Sequence, residues 1–210
     1  MLNNHGFDLW SENYDSSVKN SEDNNQYPFA GYTELINAIY GTVMNKAPAK
    51  VFDIGFGTAN LTSKLYDGKN EITGIDFSSE MIKIAGAKMP EANLLQWDFT
   101  KGLPPDIKGQ AFDFIISTYA LHHLDDGEKI DFIADLVNLL EPDGIILIGD
   151  VLFKTREALL ACKSADADSW DEDEIYFVMN ELQDKLNLFC NATFHEYSFC
   201  SGIIEIRKKL

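Results

Sequence analysis

The chain has 210 residues, enough for one domain with a full core, and its 45% apolar and 12% aromatic content is that of a globular protein. A formal net charge of −17, from 34 acids against 17 bases, argues against nucleic acid and against an anionic membrane surface as partners. No apolar run has membrane-spanning length, MLNNHGFDLW lacks the regions of a signal peptide, and three sparse cysteines (Cys162, Cys190, Cys200) suit a reducing, cytoplasmic compartment.

Residues 1–28 are polar, with apolar islands at Phe7, Trp10 and Tyr14, and read as a mobile arm holding one short helix. Leu35, Ile36, Ile39, Tyr40 and Val43 form a helical stripe over 31–45, closed by Pro48. Four apolar runs follow: KVFDIG (50–55), ITGIDF (72–77), FDFIIST (112–118) and IILIGD (145–150). A weaker run, NLLQWD (93–98), lies between the second and third. Helices are predicted between them: one from about Thr58, one capped by Ser78 or Ser79 and running to about Ala87, and one over 127–140. Strands alternating with helices give βαβ units and a mainly parallel sheet. After Asp150, residues 155–164 and 171–189 read as helices, and TFHEYSF (193–199) with GIIEIRK (202–208) as an antiparallel hairpin. The predicted fold is thus α/β, a Rossmann-like sheet of seven mostly parallel strands with helices on both faces. No linker or repeat divides 1–210.

The chemistry-bearing residues sit at strand ends. In an open parallel sheet, ligands bind beyond the carboxyl ends of the strands. Gly55 and Gly57, in VFDIGFGTANL, leave room for a ligand at the backbone and permit unusual dihedrals. Asp76 ends the second strand, where a carboxylate can accept from both hydroxyls of an adenosine ribose. Asp98 follows the third strand between Trp97 and Phe99, placed to accept from an exocyclic amine beside a flat base. Three acids at three successive strand ends are more specific than the glycines. A nicotinamide dinucleotide fits poorly: Asn60 stands at the sixth position of the G-x-G-x-x-G pattern, and Asp53 would repel a pyrophosphate over the loop. Asp53 and the glycines favour a ligand with a cationic amino-acid end.

These stretches resemble the class I S-adenosylmethionine-dependent methyltransferases of the small-molecule type. VFDIGFGTANL resembles the family's glycine motif, GIDFSSEMIKIA its ribose motif, LLQWDF its adenine motif, FDFIISTYALHHL and LLEPDGIILIGD its fourth- and fifth-strand motifs, and FDLWSENYD its N-terminal element. STYALHHL is most similar to the YrrT-like subgroup. The resemblance implies donor contacts from Gly55, Gly57 and Tyr14, with Asp53 organising the loop. It implies Asp76 on the ribose, Phe77 and Met81 on the adenine, Asp98 with Phe99 at its amine, and the Ser117 carbonyl on the donor's amino group. It implies that residues 1–45 cover the donor and 151–190 form a helical lid on the acceptor side. The family's third glycine is Ala59 here, a residue that disfavours positive φ.

Methyl transfer needs orientation first and a base only where the acceptor loses a proton. His122, His123 and Tyr14 are the candidates for that base. STYA at 117–120 is no Asn-Pro-Pro-Tyr tetrad, and no Pro-Cys pair occurs, which disfavours base-amine, glutamine-amide and pyrimidine-carbon methylation. The expectation is transfer from S-adenosylmethionine, yielding S-adenosylhomocysteine, to a small-molecule acceptor. The alternatives are a protein that binds the donor without catalysis, a nicotinamide oxidoreductase, and aminopropyl transfer from a decarboxylated donor. No metal is expected. DADSWDEDE (166–174) lacks the glycine and terminal glutamate of a calcium loop and reads as a solvated loop with a helix start, and the spacing of Cys190, His195 and Cys200 suits no common zinc site.

Overall fold

The computed structural model describes residues 25–209. The N-terminal arm, Tyr14 included, lies outside the described residues. Helix α1 (Tyr32–Met44) buries Leu35, Ile36, Ile39 and Val43, the stripe read from spacing. Strands β1 (Lys50–Ile54), β2 (Glu71–Asp76), β3 (Asn93–Gln96) and β4 (Phe112–Thr118) follow with α2 (Thr62–Asp67) and α3 (Ser79–Lys88) between them. Ser78 caps α3, its Oγ accepting from the Met81 amide. Helix α4 (Asp126–Asn138) starts in a capping box built by Asp125 and Glu128.

The sheet order is β3-β2-β1-β4-β5-β8-β7, with β5 at Leu140–Phe153, β7 at Cys190–Glu196 and β8 at Ser201–Lys208. The first five are parallel; β8 runs antiparallel to β5, and β7 to β8. β1 lies between β2 and β4, so the order reverses there and a crevice opens at the strands' carboxyl ends. Alternation along the central strands feeds two cores. Val51, Ile145 and Leu147 pack with Leu35, Ile39 and Leu65 on one face. Phe52, Ile146 and Ile148 pack with Ile133 and Leu136 of α4 on the other.

Three expectations need correction. The helix after the glycine loop starts at Thr62, not Thr58. Gly55, Gly57 and Ala59 all have positive φ (70°, 54° and 60°), so no right-handed helix can begin before residue 60. Residues 171–189 are not one helix, and the 151–190 segment is less helical than expected. β5 continues past Asp150 to Phe153 and pairs through Leu152 and Phe153 with a two-residue strand, β6 (Phe177–Val178), an eighth strand beside the seven-stranded path. Tyr176, Phe177 and Val178 are buried in succession, which a helix with one wet face cannot do, while Ile175 is exposed. Helix α5 (Arg156–Ala165) precedes this stretch, and only Met179–Leu186 (α6) is helical after it.

Candidate functional site

A cleft of about 840 Å³ of empty space, solvent at its mouth included, lies over the carboxyl ends of β1, β2 and β4. Its walls bring together Gly55, Gly57, Asp76, Phe77, Met81, Phe99 and His123 from the residues singled out in the sequence. Tyr32, Phe56, Thr118 and Tyr119 also line it. Tyr119 carries a signal only the backbone shows: its φ is +50°, rare for an aromatic residue, just past β4. Its ring packs against Tyr32 and Phe29 at 5.4 and 5.1 Å between centroids.

The loop after β1 is held from two sides. The Asp76 side chain is buried, Oδ2 accepting from the Gly57 amide and Oδ1 from the Ser78 amide, each at 2.9 Å. One carboxylate thus anchors the glycine loop and the start of α3. Among the described residues a Cβ on Gly57 would meet no atom within 4 Å, so they leave the backbone there open to an occupant. A Cβ on Gly55 would lie 2.6 Å from that of Ala120, so glycine is required by space as well as by φ. Ala59 is fully buried at φ +60° and does not line the cleft; its strain is carried behind the wall.

Asp53 lies below the cleft, not in its wall. Its Oδ2 accepts from Thr62 Oγ1 at 2.5 Å, and its Oδ1 has no hydrogen-bond partner among the described residues. Burial, with Asp76 close by, pushes this carboxyl up to about 7 against the pull of the Thr62 hydrogen bond. Ser117 is also one layer down, its Oγ donating to the Ile54 carbonyl at 3.0 Å. Asp98 stands outside the lining: it caps a short turn at Phe99–Lys101, accepts from Thr100, and pairs with Lys101 at 3.1 Å.

The two histidines differ. His123 lines the cleft, and burial beside His122 pushes its pKa down to about 4, so it is a neutral imidazole near pH 7. His122 faces away. Its Nδ1 lies 2.6 Å from Asp150 Oδ1 and its Nε2 3.4 Å from Glu174 Oε1. Burial alone would lower its pKa, but Asp150 and then Glu174 outweigh that and raise it. The acid run 166–174, read as solvated, therefore sends its last residue inward. Glu174 accepts from Tyr176 Oη at 2.7 Å, and Ile175 is pinned on both sides, its amide donating to the His122 carbonyl and its carbonyl accepting from buried Lys129 Nζ.

An open α/β sheet with a parallel centre, an antiparallel C-terminal pair and a left-handed glycine loop under a cleft defines a Rossmann-like ligand-binding protein. A family profile described as a methyltransferase domain matches residues 51–144. An uncharacterized methyltransferase of Geobacillus kaustophilus is 38% identical over 153 residues, which cover 72% of this chain and 68% of that protein. The chain belongs to this methyltransferase family. Among solved structures, the DhpI–SAH complex matches with a TM-score of 0.71 and 16% identity, covering 98% of this chain and 94% of that one. The N-methyltransferase NodS from Bradyrhizobium japonicum, in complex with S-adenosyl-L-homocysteine, matches with a TM-score of 0.64 and 14% identity over 86% of this chain and 89% of its own. At these identities the likeness is one of fold.

Proposed function

We propose that the protein is an S-adenosylmethionine-dependent methyltransferase that acts on a small-molecule acceptor. The observation that carries the reading is the Gly55–Gly57 loop, left-handed, open to the cleft and tied to a buried Asp76. When bound, S-adenosylmethionine supplies a sulfonium methyl group for in-line displacement. Gly55 and Gly57 would hold its amino-acid end through their backbone, above Asp53, whose carboxylate favours a cation. Asp76 would take the ribose hydroxyls, and Phe77, Met81 and Phe99 the adenine face, all from the wall of one cleft. Asp98, held by Thr100 and Lys101 outside the lining, would turn toward the adenine amine. Ser117 and Tyr14 remain proposed contacts of the amino group and the donor's carboxylate or methyl.

The acceptor would enter between the N-terminal arm, Thr118–His123 and the segment after β5. His123 is the histidine on the cleft, and its neutral ring can accept a proton from a bound acceptor. His122, enclosed by two carboxylates, is a positioning group for it. No described helix is long and apolar enough to cross a membrane. Three buried, unbridged thiols support the cytoplasm as the location, and the acid excess supports an acceptor other than nucleic acid. The test is transfer of label from S-adenosylmethionine, radioactive in its methyl group, into a cell extract by the purified protein. Label in a dialysable compound chromatographically distinct from the donor supports a small acceptor; transferred label confined to protein or nucleic acid overturns it.

A further inference from the structure

Three metal-ligating side chains meet at the edge of the cleft. His122, His123 and Glu174 each offer a ligand atom, and the three lie within 4.8 Å of one another. His122 Nε2 and Glu174 Oε1 are 3.4 Å apart. That is about the edge of a tetrahedron with ~2.1 Å bonds, the geometry of zinc with imidazole and carboxylate ligands. With the three atoms within 4.8 Å, His123 needs at most about 1.4 Å of side-chain movement to complete the face.

What separates this cluster from a chance meeting of charges is the layer behind it. Asp150, fully buried on β5, holds His122 Nδ1 at 2.6 Å and so leaves Nε2 directed at Glu174. A carboxylate behind a ligating histidine is the usual support of a protein zinc ion. Glu174 has its own support: Tyr176 Oη donates to Oε2, and Tyr27 backs Tyr176, leaving Oε1 toward His122. Both bonds of Ile175 clamp the backbone that carries Glu174. Asp150 Oδ2 is buried with no hydrogen-bond partner among the described residues. Among the described residues Lys129 is a nearby positive group, and its Nζ is committed to Ile175 and Asp126.

We propose that His122, His123 and Glu174 bind one zinc-class divalent cation at the edge of the cleft, supported by Asp150 and Tyr176. Two imidazoles and a carboxylate suit zinc, which outcompetes manganese and ferrous iron at such a donor set. Because His123 also lines the cleft, the ion's open position would face it. There a Lewis acid would hold an oxygen, nitrogen or sulfur atom of the acceptor. The site stands independently of donor binding; only this use of it rests on methyl transfer, and with the ion bound the His123 lone pair is taken, so the ion replaces that ring as the group acting on the acceptor.

The test is metal binding to the full chain, stripped with a chelator and free of donor and acceptor. Zinc is titrated by calorimetry, and cobalt(II) is added as an optical probe. One equivalent of zinc is expected, with the intense visible bands of tetrahedral cobalt. Glu174→Gln and His123→Ala leave the buried His122–Asp150 pair in place, and each should weaken zinc binding at least ~100-fold. Asp150→Asn should weaken it by about 10–100-fold, as loss of a supporting partner does. His195→Ala should change nothing. Absence of saturable binding, or affinity that survives both Glu174→Gln and His123→Ala in folded protein, overturns the proposal. Neither result touches the donor site.

Discussion

Asp76→Asn separates the two roles assigned to one buried carboxylate. In the native protein each oxygen accepts a backbone amide, Gly57 on one side and Ser78 on the other, at 2.9 Å. An asparagine must turn its NH2 toward one of these donors, leaving a buried amide unpaired at a cost of about 1–3 kcal/mol. The other bond loses its charge, a further ~1 kcal/mol. The sum, about 3 kcal/mol, lowers Tm by roughly 6–12 °C in a chain of this size. The same change removes charge-assisted acceptance of the ribose hydroxyls and loosens the loop at Gly57. S-adenosylhomocysteine should therefore bind at least ~10-fold more weakly, a loss of about 1.4 kcal/mol. Thermal unfolding reads the first effect and titration calorimetry the second. Lower stability with unchanged affinity would refute the ribose assignment; lower affinity with unchanged stability would refute the anchoring of the loop.

Other consequences can be measured separately. Gly55→Ala should destabilise more than Gly57→Ala, because both sit at positive φ but only the first drives a methyl into Ala120; Gly57→Ala should cost about 1–2 kcal/mol by thermal unfolding, and a reversed order would contradict the loop geometry. Asp53 binds its proton more tightly folded than unfolded, so its contribution to stability falls as pH rises from about 4 to 7. Asp53→Asn should flatten the pH–stability curve in that window, and native-like slope in the variant would contradict the assignment. A cationic ligand above Asp53 favours the ionised form, so donor affinity should rise across pH 6–8 in the native protein and stay flat in Asp53→Asn, read by calorimetry. His122→Leu strands buried Asp150 without its partner and should cost about 3–5 kcal/mol in urea unfolding, while His122→Leu combined with Asp150→Leu should recover much of it.

Much of the sheet was legible because its central strands are short apolar runs that end in acids and glycines. Asp53, Gly55, Gly57 and Asp76 stand where a buried strand would otherwise continue in Ile or Val, and each falls at or near the carboxyl end of β1 or β2. The helical stripes of α1 and α4 were legible for the same reason, periodicity against a single face. The stretch 171–178 was not. Ile175, Val178 and Met179 match a helical spacing, yet tertiary partners decide: β5 offers an edge to Phe177 and Val178, and Lys129 and His122 take the bonds of Ile175. Those partners lie far away in sequence, and no local pattern announces them. The inward turn of Glu174 was hidden in a run whose other acids are mostly exposed. Tyr119 was invisible because its role follows from a backbone dihedral, not from residue type.

The central claim is the donor site, and the most direct measurement is thermal unfolding with a panel of ligands: S-adenosylmethionine, S-adenosylhomocysteine, the decarboxylated donor and both nicotinamide dinucleotides. A ligand at 100 times its Kd stabilises the folded chain by about 2.7 kcal/mol, a rise of roughly 5–10 °C in Tm. The account expects that rise with S-adenosylmethionine and S-adenosylhomocysteine and none with either dinucleotide. A rise with a dinucleotide alone, or no rise with any of the five, would contradict it.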